Sequence, residues 1–162
     1  AFLEFVREED GRFLAATGGE TAPDILAGLA GSVETDLVAE TVACVTTQRL
    51  IRILCPRCKE PVQPRRRLLK KLSIDPSEAG EWYKPVGCED CFQTGFSGRT
   101  ALYEVLFPDE SVRSLIGSGT AVTAEAIRDA AGTEALHTLH QDALDKVKAG
   151  KTTLKEVRRI LQ

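Results

Sequence analysis

"CPRCKEPVQPRRRLLKKLSIDPSEAGEWYKPVGCEDC", residues 55 to 91, holds four of the chain's five cysteines in two C-x-x-C pairs, Cys55 with Cys58 and Cys88 with Cys91. A C-x-x-C turn aims two sulfurs at one centre. Two such turns supply the tetrahedral four-sulfur set that Zn²⁺ favours. The competing reading is two disulfides. Cysteines so close in sequence are awkward to bridge, and a 162-residue chain with 43% hydrophobic residues has core enough without staples. Iron in a rubredoxin-like site is the second metal option. Such knuckles usually carry glycine directly after the second cysteine, where Lys59 and Phe92 stand here, so zinc is favoured over iron. With every ligand supplied by protein, one such ion is structural. It holds a loop-rich segment in place with roughly 10 kcal/mol of apparent free energy and has no open position to activate water. A thiolate site also requires a reducing compartment, which points to the cytoplasm.

Upstream of the knuckles the texture is mixed. "FLEFVREEDGRFLAAT" has an extended pattern with "EEDG" as a turn between two strands, and "DILAGLAG" has a helical one. In "DLVAETVACVTTQRL" the residues Leu37, Val38, Thr41, Val42 and Val45 fall on one face at helical spacing. Cys44 lies beside that stripe and reads as a small buried thiol. "LIRILC" is a short strand that delivers the chain to Cys55. Residues 1–54 therefore look like the end of an α/β domain.

Downstream the signals are helical. Asp109 is an N-cap for "ESVRSLIG", with Val112, Leu115 and Ile116 as the apolar face, and Thr123 opens a helix that stops at Gly132. In "ALHTLHQDALDKVKAG" an apolar stripe runs through Leu136, Leu139, Ala143, Leu144 and Val147 until Gly150. A capping box, Thr153 with Glu156, starts a last helix that buries Leu154, Val157, Ile160 and Leu161. His137 and His140 stand three apart but lack acidic or cysteine partners nearby in sequence, so they are not assigned a metal. The fold class is α/β (α+β), in three parts: an α/β edge over residues 1–54, a four-cysteine zinc subdomain over 55–104, and a bundle of short helices over 105–162.

Composition narrows the function. A formal charge of −3 provides no overall cationic field to attract a polyanion, and no apolar run is long enough to span a bilayer. Within "RRRLLKK", Leu68, Leu69 and Leu72 can face inward while Arg65, Arg66, Arg67, Lys70 and Lys71 point out. That is a solvated helix face, or a contact for an acidic neighbour or an anionic membrane leaflet. Trp82 and Tyr83 read as packing against the second knuckle. Gly95 and Gly98 read as turns that bring Arg99 back toward the cysteines.

Taken together, "TTQRLIRILCPRCKEP", "GCEDCFQTGFSGRTALYEVL" and "LHTLHQDALDKVKAGKTTLKEVRRIL" resemble the C-terminal part of the type II secretion and type IV pilus assembly ATPases. The likeness runs from about Thr47 to the end. It rests on the Gln-Arg-Leu at 48–50, Cys-Pro-x-Cys-Lys at 55–59, Gly-Cys-x-x-Cys at 87–91, Gly-Phe-x-Gly-Arg-Thr at 95–100, Glu104, and Gly-x-Thr-Thr at 150–153. The resemblance implies the closing segment of a RecA-like motor domain, its zinc subdomain on Cys55, Cys58, Cys88 and Cys91, and a final helical bundle. It also implies a cytoplasmic hexameric motor whose partners are other motor subunits and the inner-membrane secretion or pilus platform. Peripheral membrane contact would fall to Arg65, Arg66, Arg67, Lys70 and Lys71.

The chain departs from that pattern in two places. No G-x-x-x-x-G-K-[ST] phosphate loop occurs, so ATP can enter only through a region upstream and this chain alone is not expected to be catalytic. Where the family has a histidine-containing box near the nucleotide, Gly18, Gly19, Glu20 and Thr21 stand, as in a divergent or inactive motor relative. The alternative from another class is a free-standing zinc-ribbon nucleic-acid binder with Phe92, Phe96 and Trp82 as stacking groups. Net acidity and the helical tail weigh against it. Rubredoxin-like electron transfer, the third option, would give a red protein.

Overall fold

The computed structural model describes residues 12–72, 74–75, 81–119 and 121–161. The architecture mixes helix and sheet, as expected, in two compact units that interleave along the chain. Ala1–Thr47 with Tyr103–Thr138 form the first, and Gln48–Leu102 with Leu139–Gln162 form the second. Two long strands, β1 (Val45–Leu54) and β4 (Phe96–Leu106), carry the chain from one unit to the other, and with the short β5 (Leu136–His137) the sheet order is β1-β4-β5.

In the first unit, α1 (Ala22–Ala30) starts at a reciprocal cap. The Thr21 hydroxyl accepts from the Asp24 N–H, and the Asp24 carboxylate accepts from the Thr21 N–H, which satisfies two orphan donors. A buried carboxylate, Glu104 on β4, accepts from the Ala22 N–H at 2.6 Å. A negative charge there suits the positive end of the helix. Helix α2 (Thr35–Thr41) buries Leu37 and Val38, then stops. The apolar stripe read as one helix through Val45 is therefore split. The β-branched run Val45-Thr46-Thr47 is better placed in a strand, where Val45 and Thr47 face inward. The same break leaves Cys44 exposed in the connection, contrary to the expected burial.

Helices α4 (Glu110–Gly117) and α5 (Ala124–Ala131) carry the expected caps, Asp109 accepting from the Val112 N–H and Thr123 from the Ala126 N–H. Leu26, Val38, Leu106, Val112, Ile116 and Ile127 fill the core of this unit. The short β5 (Leu136–His137) pairs antiparallel with β4, Leu136 opposite Leu106. Leu136 thus belongs to a strand and not to the helix that its spacing suggested. The "EEDG" turn and the strand before it lie outside the described residues. The strand expected after it does not form, because residues 12–19 are irregular and exposed.

The second unit is built on β1, the knuckles, and two C-terminal helices, α6 (Leu139–Lys148) and α7 (Leu154–Leu161). Ile51, Leu102, Ala143, Val147 and Val157 form its core, joined by Leu69 from α3 (Arg66–Lys71) and by Leu72 at its C-cap. The inward leucines of "RRRLLKK" are as expected, and Arg65, Arg66, Arg67 and Lys70 are exposed. A two-stranded ribbon, β2 (Glu60–Pro61) against β3 (Tyr83–Lys84), joins the two ends of the insert between the cysteine pairs.

The capping box of α7 is only half formed. Thr153 accepts from the Glu156 N–H, but the Glu156 carboxylate reaches instead to Arg52 Nε at 2.9 Å and Arg159 Nη2 at 3.0 Å. Glu156 is buried, so this charge is matched by two guanidinium groups. Further bonds fasten the loop between α6 and α7 to β1: Leu54 N–H donates to the Lys151 carbonyl and the Thr152 hydroxyl donates to the Arg52 carbonyl, both at 2.8 Å.

Candidate metal centre

Cys55 lies directly after β1. The chain then turns tightly, with the N–H groups of Cys58 and Lys59 both donating to the Cys55 carbonyl. The second knuckle is a single 3₁₀ turn, Glu89–Cys91, entered from an extended Cys88. It closes through Cys91 N–H and Gln93 N–H to the Cys88 carbonyl, with Phe92 and Gln93 in the left-handed region at φ 51° and 61°. Left-handed backbone at a bulky Phe is uncommon, and here it lets the turn tighten around the sulfurs.

The two knuckles meet through the Cys55 N–H, which donates to the Gly95 carbonyl at 3.0 Å. Gly95 has φ +75°, and a Cβ built there would come within 2.4 Å of the Pro85 side chain. Only glycine permits that approach.

The four sulfurs converge. Cys55 Sγ and Cys88 Sγ are 3.9 Å apart, Cys58 and Cys91 3.8 Å, Cys88 and Cys91 3.7 Å, and all four lie within 4.8 Å of one another. Four sulfurs bound tetrahedrally at about 2.3 Å from an ion would be spaced about 3.8 Å apart. Three of the six sulfur pairs therefore stand at the spacing of a four-sulfur metal site, and the cysteines are free thiols rather than disulfides. Among the described residues it is the one group of three or more His, Cys, Asp or Glu side chains that could hold a metal. His137 on β5 and His140 on α6 belong to no such group.

Backbone donors surround the sulfurs. Gly87 N–H donates to Cys58 Sγ at 3.3 Å, while Cys88 N–H and Gly95 N–H both donate to Cys91 Sγ at 3.2 Å. Such bonds favour the thiolate. Burial pushes the Cys91 thiol up, but those two N–H groups and the neighbouring thiols of Cys88 and Cys58 outweigh it and hold it at about 6. Cys88 moves the other way. Its contact with the Cys91 backbone lowers it, yet burial and the three surrounding thiols push it up to about 12. Burial likewise raises Cys58. The N–H bonds to Cys91 Sγ favour its thiolate, and a cation at the centre would offset the like charges of four thiolates.

Outside the sulfurs, Arg57 and Asp90 form an exposed ion pair at 2.9 Å between the two knuckles. Lys59 does more than its sequence position suggested. Its Nζ donates to the Gly150 carbonyl at 2.9 Å and sits 4.2 Å over the Tyr83 ring, linking the first knuckle to the α6–α7 loop. Gly150 has φ +63°, and a Cβ there would come within 2.8 Å of that ring, which explains a glycine before Thr152 and Thr153. No periodicity or motif flags these partners, which lie some ninety residues apart. Gly95 and Gly98 do take positive φ as expected. Arg99, however, is exposed on β4 and makes no hydrogen bond to the cysteines.

A family model described as "Type II/IV secretion system protein" matches residues 20–159. The chain belongs to this family. Among curated relatives, it is 37% identical over 134 residues to the type II secretion system protein E of Aeromonas hydrophila, an alignment covering 79% of this chain and 25% of that protein. It is 36% identical over 127 residues to the type IV pilus assembly ATPase PilB of Thermus thermophilus, covering 77% of this chain and 14% of the relative. Identity to the type II secretion system ATPase E of Vibrio cholerae is 34% over 128 residues. This secretion-family chain thus spans about a quarter or less of the length of these relatives. Among its described residues, no helix is long and apolar enough to cross a membrane.

Proposed function

We propose that the chain is the zinc-bearing C-terminal part of a type II secretion or type IV pilus assembly motor ATPase, cytoplasmic, with a structural and interaction role in motor assembly. The observation that carries the metal part is the sulfur spacing of 3.7–3.9 Å, which suits a tetrahedral four-thiolate ion. Cys55, Cys58, Cys88 and Cys91 are the ligands in this reading. A closed set of four protein thiolates makes the ion a fastener and leaves no position for substrate. In this reading it fastens the end of β1, the turn into β4, and both ends of the ribbon that borders the insert.

The motor part of the reading is supported by the family and by the similarity to proteins named as secretion and pilus ATPases. ATP turnover is assigned to regions beyond this segment, since its sequence holds no phosphate loop. In that arrangement the segment meets other motor subunits, in a hexamer, and the membrane platform. The test has two arms. The isolated chain should hydrolyse ATP no faster than buffer, and a longer protein that includes a phosphate loop should lose assembly when Cys55 and Cys88 are both replaced by serine. Turnover by the isolated chain, or full assembly of the serine variant, would overturn the proposal.

A further inference from the structure

Away from the knuckles, the second unit has a concave groove of about 720 Å³ between α3, the β2–β3 ribbon and α7. Its floor is apolar, formed by Leu68, Trp82 and Leu154. Its exposed rim carries Arg65, Arg67, Lys155 and Arg158, and no carboxylate lines it among the described residues. A fifth cation on its lining, Lys84, is paired with Glu60 at 3.0 Å. The four rim cations have no such ion pair among the described residues. A site with an apolar floor and a one-signed rim selects a ligand that is itself apolar on one side and anionic at its edges.

We propose that this groove docks an acidic amphipathic peptide segment of a partner protein, its large apolar side chains on Trp82 and Leu154 and its carboxylates on the rim arginines and lysine. The volume suits a few side chains of leucine or phenylalanine size. A bilayer surface would meet the rim cations but leave the concave floor unfilled, and a bare inorganic anion would leave it wet. The peptide segment uses both features, in the manner of a helix laid into a groove. The groove is lined by none of the four cysteines, so its binding can fail while metal binding stands, and the reverse.

Trp82 is the chain's one tryptophan and therefore reports on its own groove. The experiment follows its fluorescence during titration with a synthetic amphipathic helical peptide bearing leucines on one face and glutamates on the other. The same peptide with every glutamate replaced by glutamine, vesicles rich in phosphatidylglycerol, and inorganic phosphate are titrated in parallel. The expected result is a saturable blue shift with the glutamate peptide, weakened by added salt. Arg65→Ala with Arg158→Ala should weaken it about tenfold, as for two partly exposed ion pairs. Far-UV circular dichroism of that double variant, which alters only exposed side chains, should be unchanged. Equal binding of the glutamine peptide, a response to vesicles or phosphate alone, or no response to the glutamate peptide would each overturn the proposal.

Discussion

Replacing Glu156 by glutamine removes the charge that joins β1 to α7 while keeping the volume of a side chain that is only 4% exposed. Arg52 first, then Arg159, hold the Glu156 carboxyl at about 2 against an ordinary value of 4.5, despite a burial that pushes it up. A shift of that size corresponds to about 3 kcal/mol at 1.36 kcal/mol per pH unit. Both guanidinium groups are about half exposed, so solvent screening reduces the expected effect to roughly 2 kcal/mol. The sign follows from linkage. A carboxyl whose folded value is depressed contributes its full stability above about 4.5 and loses it as pH falls toward about 2. Urea unfolding followed by circular dichroism should therefore show Glu156→Gln less stable than the parent by roughly 2 kcal/mol at neutral pH. The gap should close as pH falls from about 4.5 to about 2, because both proteins are then uncharged at this position. Any metal leaves the knuckles of both proteins alike in acid, so the difference between them isolates Glu156. A gap that stays constant with pH would refute the assignment of this stability to charge.

Gly95→Ala should be among the most damaging small substitutions, since the added carbon meets Pro85 at 2.4 Å on a backbone at φ +75°. Unfolding should show a loss of about 1–3 kcal/mol, together with faster release of thiols to a chromogenic disulfide reagent. Ile51→Ala, at a fully buried position in the core of the second unit, should cost about 2–5 kcal/mol by the same unfolding measurement. Arg57→Ala, by contrast, removes an ion pair whose side chains are 72% and 50% exposed, and stability should change by less than about 1 kcal/mol. Thr153→Ala should lower the melting temperature through the lost N-cap of α7, a cost of about 1 kcal/mol.

What could be read in advance divides by distance along the chain. The knuckles, the caps at Asp109 and Thr123, and the inward leucines of α3 depend on residues a few positions apart, and such signals are printed in the sequence itself. The four-sulfur cluster spans a longer gap but is legible through chemistry, because two C-x-x-C turns have one common use. The misses share the opposite character. Whether the stripe from Leu37 to Val45 stays helical is decided by β1, whose pairing partners lie far down the chain, and Cys44 is exposed as a result. Leu136 satisfies a helical spacing and a strand pairing equally well, and only β4 selects the second. Glu156 fits a capping box, yet Arg52, 104 residues away, captures its carboxylate. The interleaving of the two units is of the same kind, since no local pattern tells β4 where to leave one unit and enter the next.

The sulfur cluster is the part on which the rest of the proposed role depends, and it can be weighed directly. Elemental analysis of reduced, freshly purified protein, paired with titration of thiols before and after a chelator, counts the ion and its ligands together. The proposed role requires one zinc per chain, with Cys44 reacting freely and the other four thiols released only when the ion is removed. Protein without stoichiometric metal, or four knuckle thiols that react at once in metal-loaded material, would contradict it.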